Sequence, residues 1–448
     1  MTILADAIRR KRHLSSFQII IIGFASLIIV GALLLMLPFA SKSGTLTPFD
    51  EALFTSTSAV CVTGLVVHDT ASYWSVFGQA VILILIQIGG IGVVTVAASF
   101  ALLAGRKISL MQRNTMREAI AAQKTGGVVK LTGFIIKVTF AIELIGAVVM
   151  MPVFYRDFGT RGIWMAVFHS ISAFCNAGFD IMGTAEAPYA SMTAYHINPL
   201  INITLMLLIV FGGIGFLTWD DIRTNRLHLK RYRMQSKVIL VTSAVLIVLP
   251  AIYFFLNEYT GLPLSDRILT SLFQSVTTRT AGFNTADLTE LSGAGQAIFI
   301  VLMLIGGSPG STAGGMKTTT VAVLFLNLTA VFRRKGDAQC FGRRIESEAI
   351  RSAATILMMY LTLFFGGAVT ISLADKLPIG VSLFEAASAV GTVGLTLGVT
   401  PNLSLISHII LILLMFLGRV GGLTFIYATL STRGNNISKL PQEKITVG

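Results

Sequence analysis

Charge is scarce in this sequence. Only 12% of its 448 residues are Asp, Glu, Lys or Arg, 54% are hydrophobic, and the mean hydropathy is +0.79. A water-soluble fold cannot hide so much apolar surface behind so few charges, so the chain is read as an integral membrane protein without a sizeable extramembrane domain. Cysteine is scarcer still. Cys61, Cys175 and Cys340 are too few and too scattered for a disulfide framework or a zinc site. The six histidines show no metal-ligand spacing. Paired acid–base groups are missing too, which argues against a membrane-embedded enzyme. The opening "MTILADAIRRKRHLSSFQ" lacks a small-residue cleavage site after a short apolar core, so 1–16 is expected to be a retained cytoplasmic segment.

What is abundant is long apolar sequence. A bilayer span needs about 20 residues at 1.5 Å rise. Eight runs qualify: 17–40, 75–103, 131–155, 198–219, 237–257, 295–329, 352–374 and 406–430. Between the two runs of each successive pair lies a shorter mixed segment, at 49–66, 163–180, 265–284 and 381–396. These are too short to cross and too apolar for a surface loop, which is the signature of a re-entrant element.

The basic residues mark one side. The connections between pairs carry Arg106, Lys107, Arg113, Arg117, Lys124 and Lys130, then Arg223, Arg226, Lys230, Arg231 and Arg233, then Arg333, Arg334, Lys335, Arg343 and Arg344. The opposite side has only Lys42, Arg156, Arg161, Arg267, Arg279 and Lys376. The positive-inside rule then predicts cytoplasmic termini and re-entrant segments entering from outside. The net charge of +13 is thus topological and does not point to nucleic acid.

The mixed segments repeat. They read "TSTSAVCVTGL", "HSISAFCNAGF", "FQSVTTRTAGF" and "EAASAVGTVGL", each ending on Gly64, Gly178, Gly282 or Gly394 before Leu or Phe. Each glycine follows a phenylalanine by nine or ten residues: Phe54, Phe168, Phe273 and Phe384. The second runs repeat as well, as "QIGGIGVVT", "VFGGIGFLT", "LIGGSPGST" and "FLGRVGGLT". The third copy is lengthened and contains Pro309, where its sisters are expected to stay compact. The predicted unit is span, pore helix with extended tail, span, occurring four times around one pore in an all-α membrane protein. Its boundaries are 17–104, 126–220, 236–330 and 347–431, followed by a cytoplasmic tail at 432–448. Pore helices aimed inward by their C-termini favour a cation, and backbone carbonyls of the tails can replace its hydration shell.

These motifs resemble the Trk/Ktr/HKT superfamily of potassium transport proteins. The short C-terminal tail looks most like the bacterial Ktr membrane subunit. The resemblance implies a selectivity filter built from Val60, Cys61, Val62, Thr63 and Gly64; Phe174, Cys175, Asn176, Ala177 and Gly178; Thr278, Arg279, Thr280, Ala281 and Gly282; and Val390, Gly391, Thr392, Val393 and Gly394, with K⁺ at their backbone carbonyls. Glycine at all four filter positions resembles the potassium-selective members. The resemblance also implies an intramembrane gate formed by Gly306, Gly307, Ser308, Pro309, Gly310, Ser311, Thr312, Ala313, Gly314, Gly315 and Lys317, with Arg419 in the last span. It further implies a homodimer, a cytoplasmic ring of regulatory subunits that carry the nucleotide, no cofactor in this chain, and potassium uptake across a bacterial cell membrane.

The loop at 306–319 is not a phosphate-binding loop, because Met316 separates Gly315 from Lys317 and both flanks are apolar spans. It is either a passive kink or a gate, and repeat alignment sets it half a span below the filter, level with Arg419. Arg419 replaces Gly90, Gly213 and Gly307 of the sister copies, so it is either a packing arginine or part of the gate. Asp50, Glu51 and Asp266 are expected to compensate pore-helix dipoles, and Cys61 and Cys175 to act through backbone. The rival architecture is a secondary transporter with inverted repeats; four repeats of one orientation favour a channel-like path. Whether Na⁺ or membrane potential drives transport stays open.

Overall fold

The computed structural model describes residues 15–103, 108–121, 126–226 and 228–421, together with 424 and 428. The expected terminal segments 1–14 and 432–448 lie outside these residues. Among the described residues the fold is all-α but for one short hairpin, β1 (Gln339–Cys340) with β2 (Arg343–Arg344). It is built as four copies of one unit. The first spans are α1 (Ser16–Leu35), α6 (Val128–Phe158), α10 (Met234–Asn257) and α14 (Ser347–Asp375). The pore helices are α2 (Phe49–Val60), α7 (Thr160–Phe174), α11 (Leu264–Thr277) and α15 (Ile379–Gly391). The second spans begin as α3 (Val76–Ile91), α8 (Pro199–Gly213), α12 (Gly293–Leu304) and α16 (Leu405–Val420). They resume as α4 (Val93–Leu103), α9 (Phe216–Asn225) and α13 (Thr318–Phe332), and α5 (Leu110–Ala119) lies between the first two repeats.

Each first span is apolar over most of its length, and its two faces meet different surroundings. In α1, Phe24, Ile28 and Leu35 are buried while Ile29, Val30 and Leu33 are exposed. In α10, Phe254 is buried while Val248, Leu249 and Ile252 are exposed. Water cannot cover such a continuous apolar belt at low cost, and a hydrocarbon layer can. Toward the inside three of the four pore helices are pinned to their own first spans by a serine. Ser56 donates to the Ile28 carbonyl (2.7 Å), Ser170 to Glu143 (2.6 Å) and Ser275 to Ile247 (2.6 Å). In repeat 4 this position is Ala386.

The repeats close on themselves. α7 packs on α3, α11 on α8, α15 on α12 and α2 on α16, so each pore helix leans on the second span of the preceding repeat. The second spans of repeats 1 and 2, whose glycine motifs are expected to stay compact, are bent. α3 and α4 meet at 94°, and α8 and α9 at 97°. The sister copies of the third loop are therefore broken too. Gly92 and Gly215 stand at the breaks with φ of +94° and +89°, and Gly421 ends α16 with φ of +86°. A left-handed residue stops the i to i−4 ladder, and glycine alone takes that conformation at no steric cost. Apolar sequence continues through each break, which is why periodicity does not reveal it.

The leading glycine of three second-span motifs serves packing. A Cβ on Gly89, Gly212 or Gly418 would overlap the carbonyl oxygen of Val60, Phe174 or Val390, the C-terminal carbonyls of the pore helices. Gly89→Ala is expected to destabilise the purified protein by about 1–3 kcal/mol through overpacking. Gly366→Ala, whose Cβ would meet open space on α14, is expected to stay within about 0.5 kcal/mol of the parent. Thermal midpoints in detergent test the pair, and equal midpoints for the two variants would contradict the packing account.

Candidate ion pore

Every pore helix runs toward the molecular axis and ends in the segment singled out from the sequence. A buried phenylalanine seats each helix: Phe54, Phe168, Phe273 and Phe384 are all fully buried. Four residues further on, a hydroxyl holds the tail. Ser58 accepts from the Gly64 amide (3.0 Å) and Ser388 from the Gly394 amide (3.0 Å). Ser172 donates to the Phe179 carbonyl (2.6 Å) and Thr277 to Phe283 (2.6 Å). The phenylalanine and the hydroxyl recur in all four copies and set the height of the glycine in each.

The four glycines form a closed ring. A Cβ on Gly64 would lie 3.1 Å from the Cα of Gly178, one on Gly178 2.9 Å from Gly282, one on Gly282 3.4 Å from Gly394, and one on Gly394 2.9 Å from Gly64. Their φ angles are +93°, +69°, +81° and +94°. Two residues earlier the backbone is left-handed again, at Val62 (+57°), Asn176 (+58°), Thr280 (+64°) and Thr392 (+53°). Three of these side chains are β-branched, for which this conformation costs about 1–2 kcal/mol each. Such strain persists only where the surroundings impose it, and it gathers at functional sites. No glycine marks these positions, so the sequence gives no sign of them.

Three side chains of the segments are engaged with the surrounding helices. Arg279 is buried and donates to the Ser243 carbonyl (3.3 Å), away from the axis. Cys61 and Cys175 are free and buried, and the Cys175 sulfur lies 3.8 Å from Gln87 and 3.9 Å from Glu143. Gln87 in turn donates to both Glu143 oxygens (3.0 and 3.1 Å), a buried polar cluster absent from the sequence reading. Asp50 and Glu51 occupy the first turn of α2 and Asp266 that of α11, while the cap positions are Pro48 and Pro263.

The loop between α12 and α13 lies directly under this ring. It touches the inner end of the segments and lies level with Arg419. The Thr312 hydroxyl reaches the Phe174 carbonyl (3.0 Å) and Asn176 Oδ1 (3.2 Å), and Asn176 Nδ2 donates to the Arg279 carbonyl (3.2 Å). A Cβ on Gly314 would overlap the Thr392 side chain, and one on Gly315 would lie 2.8 Å from the Gly391 carbonyl. Backbone bonds tie the loop to the neighbouring breaks: Ser308 to Gly213 (2.9 Å), Thr312 to Gly212 (3.2 Å), Gly315 to Gly418 (3.2 Å), and the Gly310 carbonyl to the Phe216 amide (2.7 Å). Within the loop, Gly306 bonds Met316 (2.8 Å), Ser308 meets Thr318 (3.1 Å), and Lys317 Nζ donates to Ala313 (2.7 Å) and Gly314 (3.4 Å). Arg419 donates to the carbonyls of Thr312, Gly89 (2.5 Å) and Gly90 (3.0 Å). One guanidinium in repeat 4 thus bonds the loop of repeat 3 and the break of repeat 1. Pro309, Gly310, Ser311, Ala313, Gly315 and Lys317 line a cavity of about 330 Å³ with Arg419. The ring glycines line a second cavity, of about 230 Å³, at the other end.

Residues 9–439 match the model of the TrkH family, described as a cation transport protein. The chain is 40% identical over 460 residues to the potassium/sodium uptake protein NtpJ of Enterococcus hirae, covering the whole of both chains. It is 35% identical to the Ktr system potassium uptake protein B of Bacillus subtilis, again over the whole of both. It is 33% identical to the protein of that name from Vibrio alginolyticus, over 99% of this chain and 97% of the relative. The crystal structure of the potassium transporter TrkH from Vibrio parahaemolyticus superposes with a TM-score of 0.73 at 19% identity, covering 94% of this chain and 86% of that one. The shared architecture is that of a multi-pass membrane transporter, not an enzyme.

The Thr312 bonds carry a direct test. Thr312→Val leaves the Phe174 carbonyl and Asn176 without their donor, at an expected cost of about 1–3 kcal/mol, and loosens the loop. Resting ion flux in liposomes should rise. A variant with the parent's thermal midpoint and the parent's flux would show that the hydroxyl does not hold the loop.

Proposed function

Because the chain belongs to the TrkH family of cation transport proteins, we propose that it is a potassium uptake pore of the bacterial cell membrane. K⁺ is selected at the backbone carbonyls of the four glycine-centred segments and gated by the loop at 306–319. The observation that carries this reading is the closed ring of Gly64, Gly178, Gly282 and Gly394, each left-handed and each against the next. Alternating left-handed residues turn successive carbonyls of a tail toward one side, and a ring of such carbonyls can replace the hydration shell of a monovalent cation. The C-termini of four pore helices add their negative ends. The side-chain chemistry agrees, because Arg279, the one charged residue among the filter positions, spends its guanidinium on the Ser243 carbonyl of α10.

Orientation follows the positive-inside rule: the basic loops and both termini are cytoplasmic, and ions enter from the glycine ring toward the loop. The relatives named as proteins of a Ktr system support a regulatory partner for this chain as well. Its partner is a cytoplasmic ring of nucleotide-binding subunits docking on the short basic connections, and the pore works as a homodimer. The name of the Enterococcus hirae relative, a potassium/sodium uptake protein, makes Na⁺ the first driving ion to test, by comparing K⁺ uptake into liposomes with and without Na⁺.

Two outcomes are expected of the reconstituted protein. Gly64→Ser and Gly394→Ser put a Cβ and hydroxyl against the neighbouring tail, so the K⁺/Na⁺ permeability ratio should fall by about tenfold, the equivalent of about 1.4 kcal/mol in relative ion stabilisation. An unchanged ratio in both would remove the segments from selectivity. Deleting 309–314 removes the obstruction and its anchors, so K⁺ flux should rise by about tenfold or more with less dependence on the partner. Selectivity should be retained, because the hydroxyls of the pore helices still hold the glycine ring. Arg419→Ala should act the same way more weakly. A deletion variant that inserts normally yet keeps the parent's resting flux would make the loop a packing kink.

A further inference from the structure

One position of the pore helices remains without a role in the filter as described. It is the residue immediately after the buried phenylalanine: Thr55, His169, Gln274 and Glu385. The four differ in chemistry, yet three make the same connection. His169 Nε2 accepts the amide of Ile181 (3.2 Å). Its Nδ1 bonds the Met165 carbonyl (2.7 Å), which sets the neutral tautomer with Nδ1 as donor. Gln274 Nε2 donates to Asn284 Oδ1 (3.2 Å) and Thr285 Oγ1 (3.4 Å). Glu385 accepts from the Thr396 hydroxyl, the Leu397 amide (3.2 Å) and the Thr400 hydroxyl (2.8 Å). Each contact lands two or three residues beyond the ring glycine of the same repeat, except that Glu385 reaches Thr400 as well. All three side chains are fully buried. A buried polar group without a partner is costly, so three chemically different solutions to one connection indicate a shared demand.

Repeat 1 departs from the pattern. Thr55 donates to the Glu51 carbonyl of its own helix (3.0 Å) and does not reach the tail. The tail there is held from outside. The Tyr189 hydroxyl donates to the Val67 carbonyl (2.9 Å), and Glu51 pairs with His68 (2.6 Å).

We infer that His169, Gln274 and Glu385 are positioning residues for ion selection, each bracing the chain that leaves the ring glycine so that the outermost carbonyls keep their spacing, while repeat 1 is braced by Tyr189 and the Glu51–His68 pair. This rests on the potassium-pore reading. It adds that selectivity depends on side chains that touch neither the ion nor the glycines. The +4 hydroxyls hold the tail at or next to the glycine, and these residues hold it beyond. A tail held at one point only can swing about it, and a filter whose carbonyl spacing drifts discriminates less between K⁺ and Na⁺.

The test compares Glu385→Ala, Glu385→Gln and Thr55→Val in liposomes, reading the K⁺/Na⁺ flux ratio and the thermal midpoint. Glu385→Ala loses the brace, and the ratio should fall by about fivefold, the scale of one lost hydrogen-bonding group. Glu385→Gln keeps Oε1 as acceptor and offers an amide to Thr400, so the ratio should return to within about twofold of the parent. Thr55→Val should match the parent. A parental ratio in folded Glu385→Ala overturns the inference. So does a ratio in Glu385→Gln as low as in the alanine variant, because charge and not bracing would then be the cause. So does an equal fall in Thr55→Val, because any change on a pore helix would then suffice. If Glu385→Ala does not fold, His169→Ala and Gln274→Leu are read for the same ratio, and a parental ratio in both also overturns it. Absence of K⁺ preference in the unmutated protein would overturn the pore reading itself.

Discussion

An ion filter made of backbone must expose carbonyl oxygens at membrane depth, where no bulk water satisfies the groups beside them. On the proposed reading, in which the four tails form such a filter, the rest of the molecule answers that demand. Non-helical backbone in a bilayer survives only when buried in protein or lining a water-filled path. Each tail is therefore enclosed by its own pore helix on one side and by the next repeat on the other. The ring of Gly64, Gly178, Gly282 and Gly394 is so tight that a methyl group on any member would strike its neighbour. Left-handed Val62, Thr280 and Thr392 are held against their own preference by the same enclosure.

The broken second spans answer the same demand one layer down. Gly89, Gly212 and Gly418 let these helices approach the C-terminal carbonyls of the pore helices, and the turns at Gly92 and Gly215 then swing the chain away from the axis. The carbonyls freed at those breaks need donors. Arg419 supplies them for Gly89 and Gly90 and for Thr312 of the loop, and the loop amides of Ser308 and Thr312 supply them for Gly213 and Gly212. The loop is thus part of the satisfied backbone of repeats 2, 3 and 4, and Arg419 connects it to repeat 1. The segment is bonded to the second spans of repeats 2 and 4 and to Phe174 and Asn176 at the inner end of the second tail.

Much of this was legible before any coordinates. Apolar run length revealed the spans, and the recurring glycines revealed the fourfold repeat, because no other residue tolerates the tail conformation next to another backbone. The buried phenylalanines were visible for a similar reason: one shape fits one socket, so the same residue recurs. The braces were not visible. His169, Gln274 and Glu385 do one job with three chemistries, and only a shared position after phenylalanine connects them. The bends at Gly92 and Gly215 were hidden because hydropathy does not change across them.

Sequence alone was enough for the class of protein, the number of its repeats, and the glycines that meet one another in the fold. These rest on local rules of hydropathy, charge and backbone sterics, which each segment obeys without reference to the others. The tertiary structure alone decided which repeat touches which, where Arg419 delivers its hydrogen bonds, that Arg279 turns away from the axis, and how Thr312 joins the loop to the filter. Those are contacts between residues up to 330 positions apart. Their partners are chosen by which unsatisfied carbonyl the fold brings within reach, a quantity that no single stretch of sequence contains.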